Sequence, residues 1–335
     1  MRATIVDIKN RTGLSLATIS KYLNGGNVRP ENKAKIDEAV EALNYQVNES
    51  ARSLVTNRTH VIGVVVYTID NLFVGTMLHH LGGLFRSRGY GMMICDSAND
   101  EGIEQENLRH MVQKNVDGVL LMPVSDDPAI VTPLRMAGIP AVCLDRVLEG
   151  ADCDSVVVNN LETARSLTEL LIRNHHERIA MLGSITEYTG RERLKGYREA
   201  MEKAGLPIRE EYELRLSHTL RSGYDGMQKL LDLPEPPTAI VLSNYEVTMG
   251  AIMTIQRRAC RYPEDFSLVG IDNLMLAEIV RPRISVAVQP IEEMSVKAAE
   301  LLLERIEEPG ETERIPGRHY VFETQFYDYG SVQAV

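Results

Sequence analysis

The pattern of apolar and polar positions changes character near residue 60. Ahead of that point, apolar residues recur at helical spacing in short stretches, which predicts helices over 4–11, 15–23 and about 31–43. Between the first two lies Arg11-Thr12-Gly13-Leu14, with glycine where a helix C-cap wants it, and Ser15 is placed to cap the second helix. The inward face of that helix is expected to be Leu16, Ile19 and Leu23; that of the third, Ile36, Ala39, Val40 and Leu43. Pro30 and Glu31 suit the third helix's first turn. Residues 46–58 are polar apart from Leu54 and Val55, and read as a linker or a helix too weak to stand alone.

Beyond residue 60, continuous apolar, β-branched runs alternate with helical stretches. The runs are Val61–Val66, Met92–Cys95, Val119–Met122, Ala141–Leu144, Val156–Val158, Ile179–Leu182, Ala239–Leu242 and Leu268–Ile271. Helices are expected at roughly 76–88, 104–114, 161–174, 191–204, 222–232, 246–258 and 291–307. Such alternation predicts α/β architecture with parallel sheets covered on both faces. The stretch is long for one sheet, so two similar lobes are expected, with Asp154–Asn160 a natural crossing point.

Composition sharpens this picture. The 335 residues are 44% hydrophobic and 25% charged, and no apolar run is long enough for a membrane-spanning helix. The N-terminus lacks the apolar core of a secretory signal. A formal net charge of −11 argues, taken whole, against nucleic acid as a partner. The first sixty residues, however, hold nine basic and six acidic side chains, leaving 27 basic and 41 acidic in the rest. A mildly basic head on an acidic body implies separate tasks. The four cysteines form no Cys-x-x-Cys pair and are expected to be free thiols in a reducing cytoplasm.

Catalytic motifs are missing. There is no phosphate-binding Gly-x-x-x-x-Gly-Lys-Ser/Thr, and Gly89-Tyr90-Gly91 precedes a strand rather than following one. His79-His80 and His175-His176 are adjacent pairs, which diverge on a helix and make poor metal ligands. No Gly-x-Ser-x-Gly elbow occurs. No enzyme activity, metal or cofactor is expected.

The head describes a helix-turn-helix unit. Over Thr4-Ile5-Val6-Asp7-Ile8 and Gly13-Leu14-Ser15-Leu16-Ala17-Thr18-Ile19-Ser20-Lys21-Tyr22-Leu23-Asn24 it closely resembles the DNA-binding head of the LacI/GalR family of transcription regulators. Asn44–Asn48 and Ala51-Arg52-Ser53-Leu54 continue the likeness, and Val61-Ile62-Gly63-Val64 begins the family's effector domain. The resemblance implies a helix-turn-helix domain at 1–46, a hinge helix at 47–59 and a body at 60–335. That body would have the periplasmic-binding-protein type I fold, with crossings near 154–161, 286–291 and 320–326.

For DNA, the resemblance implies that the helix from Ser15 enters the major groove of a pseudo-palindromic operator. Leu16 and Ala17 would make apolar contacts with base edges, and Lys21 stands where arginine is more usual. Thr4, Ser15, Thr18, Ser20 and Asn24 suit phosphate or backbone contacts. In the hinge, Asn48, Ala51 and Arg52 accompany Leu54, the expected minor-groove wedge.

For the effector, the resemblance places Asn71 and Phe73 after the first strand, beside Asp70 and Val74, and Arg146 after Ala141–Asp145. Thr189, Arg193, His218, Asn244 and Asp272 complete the implied site, with Asp272 and Arg193 suited to vicinal sugar hydroxyls. Three departures stand out: Leu72 in place of a proline, Tyr245 in place of an acid, and His218 where an aromatic platform is common in a family this Trp-free chain resembles. Arg146, Arg193 and His218 together suggest an anionic carbohydrate, a sugar acid or sugar phosphate. The implied protein is a cytoplasmic homodimeric repressor of carbohydrate-utilisation genes. A dimer is expected because two heads read a pseudo-palindrome and no leucine heptad follows Tyr327–Ser331. The other reading, a solute-binding protein of the same body fold serving a transporter, would need an export signal and no head.

Overall fold

The computed structural model describes residues 3–23, 25–46, 58–184, 186–272, 274–307 and 316–335. The chain divides into two compact units, Met1–His60 and Val61–Val335.

The first unit is a three-helix cluster of α1 (Ile5–Thr12), α2 (Leu16–Leu23) and α3 (Pro30–Ala42). Thr4 opens α1: its backbone N–H and its hydroxyl both donate to Asp7 Oδ2, at 2.8 Å each. Gly13 closes it in the left-handed region at φ 69°, where any Cβ would be strained. Ser15 Oγ accepts from the Thr18 N–H at 3.2 Å, as a cap should. Ile8, Ile19, Ile36 and Ala39 form the buried core, with Leu14, Leu23, Val40 and Leu43 packed against it. The expected inward position of Leu16 is a correction, because this side chain is 41% exposed. Leu14, in the turn, packs against the core instead and leaves the first residue of α2 facing outward.

The second unit holds two six-stranded sheets. Its first half runs β1 (Val61–Val66), α4 (Leu72–Ser87), β2 (Gly91–Asp96), α5 (Glu101–Gln113), β3 (Gly118–Leu121), α6 (Thr132–Met136), β4 (Ala141–Leu144) and β5 (Asp154–Val158). The second half continues α7 (Asn160–Arg173), β6 (Ile179–Ser184), α8 (Tyr188–Lys203), β7 (Glu213–Leu216), α9 (Leu220–Leu231), β8 (Ala239–Leu242), α10 (Tyr245–Arg257), β9 (Ser267–Ile271), α11 (Leu274–Ile279) and β10 (Ser285–Val288). The chain ends with α12 (Ile291–Glu307), β11 (His319–Phe322) and β12 (Gln325–Tyr327).

Sheet one has the order β11-β5-β4-β3-β1-β2 and sheet two β12-β10-β9-β8-β6-β7; every pairing is parallel except β10 with β12. The chain therefore passes between sheets three times, after β5, between β10 and α12, and between β11 and β12. Helix α12 follows a strand of sheet two, yet buries Met294, Ala298 and Leu302 with Val64, Leu120 and Val142 of sheet one.

Burial accounts for several of the strands the apolar pattern revealed, though half-exposed β2 was marked and mostly buried β10 was not. Residues of β3, β5, β6, β8 and β9 are buried throughout, so these strands read as continuous apolar runs. The edge strands β11 and β12 are half exposed, and with β7 and β10 they went unmarked. Helices start earlier than their apolar periodicity suggests. Helix α4 begins at Leu72 because the Asn71 side chain accepts from the Val74 N–H at 3.1 Å, and Asp100 caps α5 through the Ile103 N–H at 2.9 Å.

Candidate functional site

In parallel sheets, the loops after the strands gather at the carboxyl end, where ligands bind. Here Tyr67 and Asn71 follow β1, Asp145 and Arg146 follow β4, Asn244 follows β8, Asp272 follows β9 and Gln289 follows β10. They line one small cavity of about 20 Å³ with Phe73, Thr189, Arg193, His218, Tyr245 and Glu246. All eight side chains expected at an effector site, Asn71, Phe73, Arg146, Thr189, Arg193, His218, Asn244 and Asp272, thus come together. Sequence reasoning passed over Tyr67, Asp145, Glu246 and Gln289 as site residues.

The two lobes present matching parts. Asp145 and Asp272 each stand directly beyond a strand with left-handed backbone, at φ 70° and 88°, a conformation costly for a residue with a Cβ. Asn71 and Asn244 each cap a helix through Oδ1, Asn244 accepting from the Val247 N–H at 3.0 Å. Both then turn their Nδ2 groups to one carboxylate. Asn71 donates to Glu246 Oε1 at 2.8 Å and Asn244 donates to Glu246 Oε2 at 3.0 Å. Tyr245 occupies the position where the resemblance leads one to expect an acid, and the acid stands one residue later. Glu246 therefore spans the cleft between lobes.

The cations are already engaged. Buried Arg193 donates through Nε to Asn160 Oδ1 at 2.8 Å, donates through Nη1 to the Ser243 carbonyl, and lies 3.5 Å from Asp272 Oδ2. Gln289 donates to Asp272 Oδ1. Arg146 donates to the Pro123 carbonyl at 2.9 Å, sits 3.9 Å from Asp145 and lies 4.2 Å from the centre of the Tyr67 ring. Burial pushes His218 down to about 4, against the pull of Glu187 3.8 Å away, so it is neutral near pH 7. Burial likewise pushes Asp145 up to about 6, with Arg146 and Arg193 opposing, and Glu246 up to about 7. The site therefore sets two guanidiniums among three carboxyl groups, and the three-cation basis for an anionic effector is reduced to two occupied cations.

Buried polar atoms remain that make no hydrogen bond among the described residues: Arg146 Nε, His218 Nε2 and Gln289 Oε1 on cavity-lining residues. Donors, acceptors and carboxylates converging on one cavity, with Phe73 and the rings of Tyr67 and Tyr245 among them, suit recognition of a polyhydroxyl compound. No cluster of candidate metal ligands occurs among the described residues.

In the head, Thr4, Ser15, Leu16, Ala17 and Lys21 are exposed, and Thr18 and Ser20 are partly so. Ala17, Thr18 and Lys21 line a shallow concavity with Asn27, Arg29 and Asn32, which sequence reasoning did not single out. Asn24, Asn48, Ala51, Arg52 and Leu54 lie outside the described residues.

Comparison with known proteins gives consistent matches. Residues 168–325 match the family described as the periplasmic binding protein-like domain. The ribose operon repressor of Escherichia coli strain K12 is 31% identical over 310 residues, covering 92% of this chain and 94% of that protein. The structure of the transcriptional regulator CelR in complex with cellobiose aligns with a TM-score of 0.73 at 27% identity, over 98% of this chain and all of that one. The lac repressor dimer bound to operator and the anti-inducer ONPF shares the fold, with a TM-score of 0.88 at 18% identity over the full length of both chains.

Proposed function

This chain belongs to the LacI/GalR family of transcriptional regulators, and from that premise we propose that it represses carbohydrate-utilisation genes under the control of a small sugar effector. The observation that carries the effector reading is the carboxylate-rich cavity at the carboxyl ends of both sheets. Asp272, held by Arg193 and Gln289, and Glu246, held by two asparagines, are pre-aimed acceptors for vicinal hydroxyls. Because both guanidiniums stand among the chain's own carboxyl groups Asp145, Asp272 and Glu246, a neutral polyol is favoured over a sugar acid or phosphate.

At about 20 Å³ the cavity is far below the roughly 300–1,000 Å³ of sites that enclose small ligands. Effector binding therefore requires the lobes to part and the Asn71–Glu246 bridge to break. Binding then redistributes two lobe arrangements, a coupling typically worth about 1–3 kcal/mol at a distant site. The distant site is operator DNA. Leu16, Ala17 and Lys21 read the major groove, Thr4, Ser15, Thr18, Ser20 and Asn24 hold the backbone, and Asn48, Ala51, Arg52 and Leu54 act in the minor groove. A two-fold dimer in the cytoplasm supplies the two heads a pseudo-palindrome needs.

The test is an electrophoretic shift with the DNA upstream of the chain's own gene, with and without ribose, cellobiose, galacturonate and ribose 5-phosphate. Specific retardation that falls steeply with salt and responds to one sugar is expected. Thermal stabilisation by the acidic or phosphorylated compounds alone would refute the neutral-effector reading; failure to retard any upstream fragment would refute the operator reading.

A further inference from the structure

Two of the four cysteines, ten residues apart, meet in space. Cys143 is fully buried in β4, Cys153 stands just before β5, and their sulfurs are 3.4 Å apart. We propose that this pair is a peroxide-sensitive modification site, closing to a disulfide that clamps the loop carrying Asp145 and Arg146.

The surroundings divide the labour between the two thiols. Cys153 borders a cavity of about 300 Å³, together with Leu148, Glu149, Ser155, Tyr188 and Arg318, large enough to admit a small oxidant. Cys143 has no such exposure. The S–H···S contact between the two thiols holds Cys153 below the usual thiol range, while the same contact and burial push Cys143 well up. One flanking acid is compensated: Asp154 is buried against Arg305 at 2.7 Å and Arg318 at 2.9 Å. The chain at Gly317 lies directly against the Cys153 backbone. A Cβ on Gly317 would meet the Cys153 carbonyl at 2.5 Å, and the Gly317 N–H donates to Asp152 at 2.8 Å.

The chemistry balances with hydrogen peroxide as oxidant. The Cys153 thiolate attacks one peroxide oxygen, the O–O bond breaks, and hydroxide leaves as water after taking a proton, giving the sulfenic acid. The Cys143 sulfur then attacks Cys153 Sγ; the S–S bond forms, the S–O bond breaks, and the Cys143 proton leaves with the hydroxide as a second water. Two thiols and one peroxide thus become one disulfide and two waters. The ring so closed contains Asp145 and Arg146, both of which line the central cavity. Cytosolic disulfides of this kind are transient sensors rather than structural staples. The inference stands apart from the identity of the effector.

Reduced full-length protein treated with hydrogen peroxide, then alkylated and mapped without reduction, tests it. Expected are a loss of about 2 Da per chain, a peptide cross-linked through Cys143 and Cys153, slower amide exchange over residues 145–152, and full reversal by dithiothreitol. A Cys95→Ser, Cys260→Ser double variant behaves identically. Cys143→Ser cannot resolve the sulfenic acid and instead gains about 16 or 32 Da at Cys153. Oxidation of Cys95 or Cys260 as fast as Cys153, or cross-links only between chains, overturns the proposal. The wild-type peptide map decides the matter even if a variant fails to fold.

Discussion

Substituting Glu246 with Gln turns the cleft-spanning carboxylate into a quantitative probe. Glu246 accepts from Asn71 and Asn244, no cation among the described residues pairs with it, and burial with Asp272 and Asp70 nearby pushes it from the ordinary 4.5 up to about 7. Between those values the unfolded chain has lost the proton that the folded protein keeps. Stability from this group is therefore full below about pH 4.5 and declines as pH rises towards 7, then levels off. At about 1.4 kcal/mol per pH unit, the whole span amounts to on the order of 3 kcal/mol, and partial solvent access reduces it towards 2. Gln mimics the protonated side chain at every pH, though its amide nitrogen opposes one asparagine donor at a constant cost of about 1 kcal/mol. Calorimetry from pH 5 to pH 8 on both proteins should give difference curves that slope. The variant melts slightly lower at pH 5 and rises relative to wild type by roughly 4–10 °C at pH 8, since about 1 kcal/mol moves a unit this large by 2–4 °C. Other titrating groups cancel in the difference. A wild-type-minus-variant gap that stays constant across this range would refute the burial of an uncompensated carboxyl at the cleft.

Two further outcomes follow from packing. Gly250→Ala places a Cβ 2.0 Å from the Leu220 carbonyl oxygen and 2.4 Å from the Tyr224 nitrogen, where only backbone can yield; denaturant unfolding should show a loss of at least about 1–3 kcal/mol, and an unchanged midpoint would contradict the α9–α10 approach. Ile19→Ala removes a fully buried side chain from the small core of the first unit, at about 2–5 kcal/mol; NMR should show the head unfolded and operator retardation lost while the second unit melts unchanged, and surviving head signals would count against this core.

Much of this protein was legible without coordinates. Spacing in the first sixty positions gave three short helices and a tight turn, and the resemblance over Thr4–Asn24 made them a helix-turn-helix head. The strands buried on both faces announced themselves as unbroken apolar runs, so two parallel-sheet lobes followed. The family resemblance pointed to Asn71, Arg193, Asn244 and Asp272, which do meet in one cavity. What periodicity could not supply was anything set by neighbours distant in sequence. Leu16 had a helical spacing from Ile19 that suited the core, but Leu14 packs there instead. The edge strands β11 and β12 carry polar residues because one face is open, and only their partners make them strands. The charge of the site was likewise a tertiary matter. Three basic side chains suggested an anion, but burial neutralises His218, and Asp145, Asp272 and Glu246 converge from both lobes on the two arginines that remain. The shift of the acid from the expected position 245 to Glu246 is visible in the sequence, yet its meaning appears only when Asn71, 175 residues away, donates to it across the cleft. Local pattern determines elements and their faces; the electrostatics of a site depends on which distant groups the fold brings within a few ångströms in a dry interior.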